Sequence, residues 1–417
     1  MISYHTCPLA ILGGKDTGGM NVYVRELTKQ LSRMGVVVDV FTRSQDEHVP
    51  HVVHSLGYGS RVIHVPAGRE IPKSKKELAQ YIPEFTNNIK NFANRREIEY
   101  DLIHSHYWLS GIAGKALKDE WNIPLIHMFH TLGLMKNEIA GEGEYEGDYR
   151  IKGELKVLRN ADKIIASTPA ELTQLQWLYE VKTDHVSVVP PGVNLKRFYP
   201  IPKEDAKEFL DYPKEKRILL FVGRIEPLKG IDTLLRAAAC MREMGAMDRN
   251  DVTISIIGGE ASASEEEMSH EMARLTKISK QLKLDNIVEF LGKRSQDMLP
   301  YYYSAADVVV VPSYYESFGL VALEALACGT PVVASRVGGL AYLIEDGVNG
   351  FYVENKDEVD LSDKLISLIE DKALNDKMGK NATEYAKGYE WEEITSQMIN
   401  LYEEQISLVG SKASTRN

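Results

Sequence analysis

Short apolar runs alternate with longer amphipathic stretches along the whole chain. The apolar runs "LLFV", "ISII" and "VVVV" are continuous, as is typical of parallel strands that helices cover on both faces. The predicted strands are 36–42, 102–104, 125–129, 163–166, 218–222, 253–257, 286–290, 308–311 and 331–334, and the predicted helices between them include 21–34, 111–121, 171–180, 231–244 and 318–327. This alternation favours right-handed βαβ units, and therefore an α/β fold class with doubly wound sheets.

The stretch "SVVPPGVNLKRFYPIP" at 187–202 interrupts the alternation with prolines and a Gly-Val-Asn turn, which indicates a connector. Since 417 residues exceed what one core usually supports, we expect two Rossmann-like domains that face a central cleft. We predict an N-terminal domain over 1–197 and a C-terminal domain over 198–388. The last segment, 389–417, contains the amphipathic stretch "WEEITSQMINLYEEQI" and is predicted to be a helix that returns to the N-terminal domain.

The composition, with 44% hydrophobic and 26% charged residues, is that of an ordinary globular protein. A formal net charge of -11 argues against nucleic acid or an anionic membrane as the main partner. Cys7, Cys240 and Cys328 are too few and too scattered for a disulfide framework or a zinc site. Because neither a signal-peptide core nor a long apolar run occurs, we expect a cytoplasmic enzyme without an integral membrane segment.

A glycine-rich loop, "GGKDTGGMNVYVRELTKQL", leads into the first predicted helix with the pairs Gly13–Gly14 and Gly18–Gly19. Such a loop lets backbone N–H groups approach an anion at a helix N-terminus. Its spacing matches neither the dinucleotide fingerprint nor the P-loop. A plain tight turn is therefore an equally good interpretation of this loop taken alone.

A second loop, in "FVGRIEPLKG", places Arg224 and Lys229 directly after a predicted buried strand. Ligands of doubly wound sheets bind outside the carboxyl ends of such strands. Two cations there can bind a diphosphate, Arg224 by its fork geometry and Lys229 as a point charge. The alternative for this loop is two solvated cations without a ligand.

Histidines gather at the ends of two neighbouring predicted strands, in "HSHYW" (His104, His106) and "HMFHTLG" (His127, His130). No acidic partner lies nearby and no H-E-x-x-H motif occurs, so we predict no metal site there. Some of the four are expected to be core histidines. His130, which lies beyond a strand end, is expected to face the cleft.

Two glutamates interrupt the apolar segment "ESFGLVALEALACGTP" at 316–331. A helix that is apolar on all sides is buried, and an unpaired buried carboxylate is costly, so Glu324 needs a partner. Gly329 and Pro331 are predicted to end this helix, and its N-terminus at 316–319 to offer backbone N–H donors. The partner of Glu324 is either a pair of ribose hydroxyls or, within the fold, a backbone group or a core arginine.

These motifs resemble those of the retaining glycosyltransferases of family four, which have the GT-B fold. "ESFGLVALE" resembles the E-x7-E signature of that family, and "GRIEPLKG", "VVPPGVN" and the N-terminal Gly-Gly loop stand where the family has them. The resemblance covers most of the chain. It implies a hexosyltransferase that moves a sugar, with N-acetylglucosamine as the leading choice, from a UDP-sugar to a small phosphorylated polyol such as inositol phosphate.

On the donor side, the resemblance implies that Arg224 and Lys229 bind the diphosphate and that Glu324 binds the ribose. Gly19 would approach the β-phosphate, and Arg294 would lie beside the uracil. The implied donor-binding residues are Gly18, Gly19, Arg224, Lys229, Arg294, Glu316, Ser317, Phe318, Gly319 and Glu324. The implied catalytic residues are His130, Arg224, Lys229 and Glu316.

On the acceptor side, the resemblance implies a phosphate site and a polyol site in the N-terminal domain. The implied phosphate-binding residues are Lys75, Tyr107, Thr131 and Arg150, and those on the inositol ring are His5 and Asn21. In "EIPKSKKEL", Lys73 or Lys76 could take the place of Lys75.

Retention in this family is described as front-face attack, in which a donor phosphate oxygen takes the acceptor proton. That account needs no protein nucleophile, and the sequence shows no convincing Ser/His/Asp or Cys/His set. No D-x-D sequence occurs, so protein cations rather than a metal are expected to stabilise the diphosphate. We predict no required cofactor, although Mg²⁺ remains compatible with the sequence.

Several alternatives stay open. A sucrose-phosphate-synthase-like enzyme would transfer glucose to fructose 6-phosphate, because Lys75 and Arg150 suit either acceptor phosphate. A UDP-sugar 2-epimerase would use a GT-B sheet without any acceptor. A nucleotide-sugar binding protein without activity would leave the acceptor-side cations without a role. The sequence also leaves open whether the chain forms a homodimer.

Overall fold

The computed structural model describes residues 1–11, 17–139, 145–247, 251–259 and 270–414. The chain divides into two compact units. Unit 1 consists of Met1–Ala10, Gly19–Pro191 and Trp391–Asn417, and unit 2 consists of Ile11–Gly18 and Gly192–Glu390. The domain bounds expected from the sequence, 1–197, 198–388 and 389–417, remain predictions.

Unit 1 contains seven of the described strands and eight of the described α-helices. Its strands are β1 (Asp39–Arg43), β2 (Val52–Val53), β3 (Arg61–Val65), β4 (Ile103–His106), β5 (Leu125–Met128), β6 (Lys163–Ala166) and β7 (Val186–Val188). Its helices are α1 (Gly19–Arg33), α2 (Lys75–Leu78), α3 (Ile82–Arg95), α4 (Trp108–Trp121), α5 (Gly133–Ile139), α6 (Asp148–Asn160), α7 (Pro169–Tyr179) and α16 (Trp391–Ser414).

The sheet of unit 1 is organised around the first residues of the chain. Strands β4, β5, β6 and β7 are parallel neighbours, and β3 lies between the parallel β1 and the antiparallel β2. Ile2 makes parallel bridges to Phe41 of β1 and to Ser105, so it joins the two sets of strands. Connections run in opposite directions from this point, which makes it a topological switch point of the kind where ligands bind.

Helix α16 completes a core of unit 1. It packs on α1, and its residues Trp391, Ile394 and Met398 are buried in a cluster with Val24 and Leu27. Helix α16 is therefore part of unit 1, which also contains the first residues of the chain.

Unit 2 contains strands β8 (Arg217–Val222), β9 (Val252–Ile257), β10 (Val288–Gly292), β11 (Val308–Val311), β12 (Val332–Ser335) and β13 (Gly350–Val353). Its helices are α8 (Lys203–Phe209), α9 (Ile231–Glu243), α10 (His270–Gln281), α11 (Leu299–Ala305), α12 (Leu320–Ala327), α13 (Leu340–Leu343), α14 (Glu358–Glu370) and α15 (Lys372–Ala386).

Within the described residues, unit 2 has a six-stranded sheet in the order β10-β9-β8-β11-β12-β13, and all of its pairings are parallel. Apolar side chains alternate between two cores, with Leu220 and Val309 in one and Leu219 and Val310 in the other. Helices cover both faces, so the apolar runs are continuous, as the sequence indicated. The predicted α/β class is confirmed, and the strand order reverses between β8 and β11.

Candidate functional site

In unit 2, the loops after β8 and β11 meet at the point where the strand order reverses. The β8 loop contains Arg224 and Lys229, and the β11 loop contains Glu316. The ammonium of Lys229 donates to Glu316 over 2.5 Å, and Arg224 donates to Glu226 over 2.7 Å. The structure therefore brings the two predicted diphosphate ligands to the edge of the sheet where doubly wound folds bind ligands.

Glycines let this edge close tightly. Gly230 has a φ of +64° and a Cβ there would lie 1.9 Å from the carbonyl oxygen of Pro312, so a side chain does not fit. A Cβ at Gly18 would lie 3.6 Å from Nε of Arg224, so Gly18, which belongs to unit 2, lies beside this cation. Gly13 and Gly14, the other Gly-Gly pair of the N-terminal loop, lie outside the described residues.

The segment 316–319 lies in a loop, because α12 begins at Leu320 with Gly319 as its N-cap at a φ of 106°. The prediction that the helix begins at 318 is wrong by two residues, since this φ is open to glycine and ends the helical path. The carbonyl of Glu316 accepts from the N–H of Gly339 over 2.9 Å, and a Cβ at Gly339 would lie 2.3 Å from Cα of Phe318. The backbone of Gly339 therefore fixes the loop that contains Glu316, Ser317 and Phe318.

Glu324 lies inside α12 and is only 6% exposed. Its Oε2 accepts a hydrogen bond of 2.8 Å from the hydroxyl of Tyr303 on α11. Burial, followed by the charge of Glu324, raises the pKa of Tyr303 well above its usual value, so the hydroxyl stays a donor. The partner in the fold is thus a tyrosine, which the sequence analysis did not consider, and the ribose role of Glu324 stays a prediction.

The other end of α12 follows the sequence prediction. The N–H of Gly329 donates to Leu326 and that of Thr330 donates to Ala325, each over 3.0 Å, and Gly329 has a φ of +78°. These bonds form a Schellman motif, so the predicted C-terminal glycine is confirmed. Arg294 lies after β10 and donates to the hydroxyl of Tyr302 over 3.0 Å.

In unit 1, residues from distant parts of the sequence gather around the ring of Tyr107. The ring of His5 lies 4.5 Å from it between centroids, Nζ of Lys75 lies 5.4 Å from its centroid, and Cζ of Arg150 lies 5.1 Å from it. Tyr107 itself has a φ of 73°, an unusual conformation for a bulky residue that is commonest at functional sites. The structure therefore brings these four predicted acceptor residues together.

Arg150 is buried, with a side chain that is 1% exposed. It donates to Glu154 over 2.8 Å, to Glu146, and to the backbone and side-chain oxygens of Thr131 over 2.9 and 3.1 Å. Burial opposes its charge, but Tyr107, Glu154 and Glu146 outweigh burial and raise the pKa of Arg150. The predicted phosphate ligand is therefore also a structural cation.

Asn21, predicted to touch the inositol ring, is 1% exposed. Its amide donates to Oγ1 of Thr6 and to the carbonyl of Cys7, each over 2.8 Å. The Asn21 side chain therefore fixes the loop that contains Thr6 and Cys7 to helix α1.

His130 follows β5 at a φ of 62°, and its Nε2 lies 3.1 Å from Nδ1 of His106. Burial lowers the pKa of His130 to about 3, so the ring is neutral at pH 7. The pKa values of His104, His106 and His127 are lowered first by burial and then by neighbouring positive charges, which include His130 in all three cases. Within the described part of the chain, no group of three or more His, Cys, Asp or Glu is placed to hold a metal ion.

Comparison with known proteins decides the family. Residues 17–197 match the family model described as Glycosyltransferase Family 4, and residues 202–385 match the one described as Glycosyl transferases group 1. The chain is 40% identical over 408 residues to D-inositol 3-phosphate glycosyltransferase 2 of Catenulispora acidiphila, covering 97% of this chain and 94% of the relative. The chain belongs to glycosyltransferase family 4.

Two further similarities cover nearly the whole glycosyltransferase. The D-inositol 3-phosphate glycosyltransferase of Kribbella flavida is 41% identical, over 95% of this chain and 93% of the relative. The solved structure of sucrose-phosphate synthase from Thermosynechococcus elongatus is 35% identical with a TM-score of 0.88, and the match covers 98% of each chain. The predicted GT-B fold and transferase activity are confirmed.

None of the helices described for this glycosyltransferase has the combination of length and apolarity needed to cross a membrane. Four residues at the two sites were missed by the sequence analysis: Tyr303, Gly339, Lys136 and Glu146. The pair "GG" at 338–339 could have been noticed, because it follows the predicted strand 331–334 and repeats the Gly-Gly pattern of the N-terminal loop. The others are ordinary residues that only the fold brings to the sites.

Proposed function

We propose that this glycosyltransferase moves a sugar from a UDP-sugar to inositol phosphate with retention at the anomeric carbon. N-acetylglucosamine is the leading donor sugar. In this proposal unit 2 binds the nucleotide sugar and unit 1 binds the acceptor. Relatives that carry the name D-inositol 3-phosphate glycosyltransferase, at 40 and 41% identity over nearly the full chain, support the choice of acceptor.

The acceptor part of this proposal rests on one observation. Lys75 and Arg150 come from different helices, and both cations lie against the ring of Tyr107 at a switch point of the sheet. A phosphate monoester has a charge of about -1.5 to -2 near pH 7, so such a pair of cations suits it. The ring of His5 also packs against Tyr107, and His5 is the residue proposed to contact the polyol.

The donor half is supported by the pair of loops at the β8–β11 switch point. Lys229 contacts Glu316, so the residue proposed for the diphosphate orients the residue proposed for the sugar hydroxyls. Arg224 lies in the same loop, beside Gly18. Preorganised cations of this kind stabilise charge that develops on a leaving diphosphate.

In the proposed reaction, the bond between the anomeric carbon and the diphosphate oxygen breaks and UDP keeps the electron pair. The acceptor hydroxyl oxygen forms the new bond on the same face, and its proton passes to the departing diphosphate. Arg224 and Lys229 stabilise that diphosphate. Because His130 is neutral at pH 7, its role is to hydrogen-bond the donor sugar rather than to supply a positive charge.

Sucrose-phosphate synthesis is the second candidate. A TM-score of 0.88 and 35% identity to a sucrose-phosphate synthase favour it, and its acceptor would use the same two cations. The identities to the relatives named for inositol phosphate are higher, so we rank it second.

Release of UDP tests both candidates. UDP-N-acetylglucosamine and UDP-glucose are each incubated with inositol phosphate, with fructose 6-phosphate or with no acceptor. Release only with inositol phosphate supports the proposal, and release only with fructose 6-phosphate supports the second candidate. Equal release without any acceptor would refute transfer and favour a hydrolase or an epimerase.

A further inference from the structure

Beside Arg150, the structure contains a cation and a carboxylate that neither the sequence analysis nor the proposed function uses. Lys136 lies on α5, and Glu146 lies just before α6. Oε1 of Glu146 accepts from Nζ of Lys136 over 3.1 Å and also from Arg150. A single carboxylate oxygen thus bridges two cations, in the way that a phosphate oxygen would.

The two carboxylates that contact Arg150 differ in how firmly they are held. Glu154 is fully buried and accepts from both Arg150 and the N–H of Gly133, over 2.8 and 3.0 Å, and also from the hydroxyl of Tyr179. Glu146 is 22% exposed and its side chain bonds only to the two cations among the described residues. Glu154 is therefore the permanent counter-charge of Arg150, and Glu146 is the one that can leave.

The backbone around Glu146 allows this movement. Its N–H donates to Oδ1 of Asn137 over 2.6 Å, and its carbonyl accepts from Nδ2 of Asn137 over 3.2 Å. Both bonds hold the main chain and leave the side-chain torsions unconstrained. The carboxylate can rotate away from Lys136 and Arg150 while the loop stays in place.

The charges also balance. Lys75, Lys136 and Arg150 contribute three positive charges around this point, and both Lys75 and Lys136 stabilise the Glu146 carboxylate. Glu154 neutralises one of the three, and Glu146 a second. Burial opposes the charge of Glu146, but Arg150 and Lys136 outweigh it and hold the pKa of that carboxyl below its usual value, so Glu146 is ionised at pH 7. Removing Glu146 leaves two positive charges, which match a phosphate monoester dianion.

We infer that Glu146 occupies the phosphate position of the acceptor site as an internal counter-anion, that the acceptor phosphate displaces it, and that Lys136 is a further phosphate-binding residue. This inference rests on the proposed phosphorylated acceptor. The exchange makes the site selective for phosphorylated acceptors, because an acceptor without a phosphate cannot replace the carboxylate on both cations.

Binding of inorganic phosphate to the full chain, measured by calorimetry, tests the exchange. Glu146→Gln keeps the size of the side chain and removes its charge. If the carboxylate occupies the site about nine-tenths of the time, its removal lowers the phosphate Kd about tenfold. The control is Glu138→Gln on α5, an exposed glutamate without an ion pair in the described residues, which should leave the Kd unchanged.

The lysine is tested in the same assay. Lys136→Gln should raise the phosphate Kd about tenfold, as expected for one lost charge-assisted hydrogen bond. Lys152→Gln, at an exposed position on α6, should not change it. Thermal unfolding of each variant shows that the fold is retained, and the acceptor KM should follow the phosphate Kd while the donor KM stays constant.

The outcomes separate this inference from the proposed function. Turnover with inositol phosphate, together with an unchanged phosphate Kd in Glu146→Gln, would overturn the inference alone. A lower Kd in Glu146→Gln but not in Glu138→Gln supports the exchange, even if turnover proves to need another phosphorylated acceptor. Equal phosphate Kd values in wild type, Lys136→Gln and Lys152→Gln would remove Lys136 from the site.

Discussion

In the proposed function both units hold cations for a phosphate group, and the two units differ in how they hold them. In unit 2, Lys229 and Glu316 are 18% and 19% exposed, and both lie in loops at the ends of adjacent strands. In unit 1, Arg150 and Glu154 are 1% and 0% exposed, and they lie within α6. An accessible pair can change partners at small cost, whereas a buried pair cannot lose one member without leaving a charge unpaired.

The units also differ in their histidines. All but one of the 11 histidines belong to unit 1, and the exception, His270, is in unit 2. Four of those in unit 1, at 104, 106, 127 and 130, have pKa values lowered by burial. We therefore expect unit 1 to be the more acid-sensitive part of the molecule.

The largest expected effect lies in unit 2. Replacing both Arg224 and Lys229 by Ala should lower kcat by about 10³-fold or more, because each contributes to stabilising the leaving diphosphate. The rate of UDP release measures it. Arg236→Ala, at an exposed position on α9, is the matched control and should keep full activity. Full activity in the double variant would exclude the diphosphate assignment.

A second prediction tests the buried pair of unit 1. Arg150→Ala should lower the free energy of unfolding by about 3–5 kcal/mol, since it leaves Glu154 buried and unpaired. Urea unfolding measures the loss, with Arg159→Ala at an exposed position on the same helix as the control. Adding Glu154→Gln should recover part of the stability. An unchanged unfolding midpoint in Arg150→Ala would mean that the pair has no structural role, and that the acceptor KM alone should respond.

A third prediction concerns pH. The folded-state pKa of His130 is about 3 and its usual value is 6.5, so the unfolded state binds the proton first as pH falls. The resulting stabilisation is complete above pH 6.5, and is lost progressively as pH falls from 6.5 towards 3. Each such histidine costs about 1.4 kcal/mol of unfolding free energy per pH unit in this window.

Urea unfolding at pH 7.5 and pH 5.5 checks this. All four tryptophans (108, 121, 177 and 391) belong to unit 1, so tryptophan fluorescence reports on that unit, and near-ultraviolet signals that respond to added UDP report on unit 2. Unit 1 should lose stability first. His127→Asn should reduce the slope, because it removes one of the buried titratable rings. Identical unfolding curves at both pH values would contradict the buried, neutral state of the four rings.

The smallest expected effect concerns the ribose site. Tyr303→Phe should weaken UDP binding about fivefold, because Glu324 loses the hydrogen bond from the Tyr303 hydroxyl, a contribution of about 1 kcal/mol. Tyr301→Phe on the same helix is the matched control, since its ring stacks on Phe209. Glu324→Ala should weaken binding further without unfolding the protein. Unchanged UDP affinity in Glu324→Ala would refute the ribose role.

The sequence was most informative where local patterns determine structure. The predicted strands 163–166 and 308–311 coincide with β6 and β11, because continuous apolar runs identify covered parallel strands. By contrast, β3 was not predicted, since Arg61 and His64 interrupt its five residues, and the strand predicted at 36–42 begins only at Asp39 because Val37 is 70% exposed. Such cases depend on neighbours that the sequence does not show.

The residues of the candidate sites also include some that the sequence located and some that only the fold reveals. Arg224, Lys229 and Glu316 lie in short segments after buried strands, so strand prediction alone locates them. The burial of Arg150 could not be predicted, because an arginine on a polar helix is normally exposed and only the folded unit places Glu154, Thr131 and Glu146 around it. The hydroxyl that Tyr303 gives to Glu324 likewise depends on how α11 packs on α12.

The place of α16 in unit 1 has a consequence for synthesis on the ribosome. Unit 2 is almost continuous in the chain, from Gly192 to Glu390, and can fold as soon as its last strand and helices have emerged. Unit 1 cannot, because the cluster around Val24 and Leu27 stays open until Trp391, Ile394 and Met398 are translated. The part of the protein that is made first is therefore finished last, and a nascent chain stalled before residue 391 would expose an apolar face of α1 to chaperones.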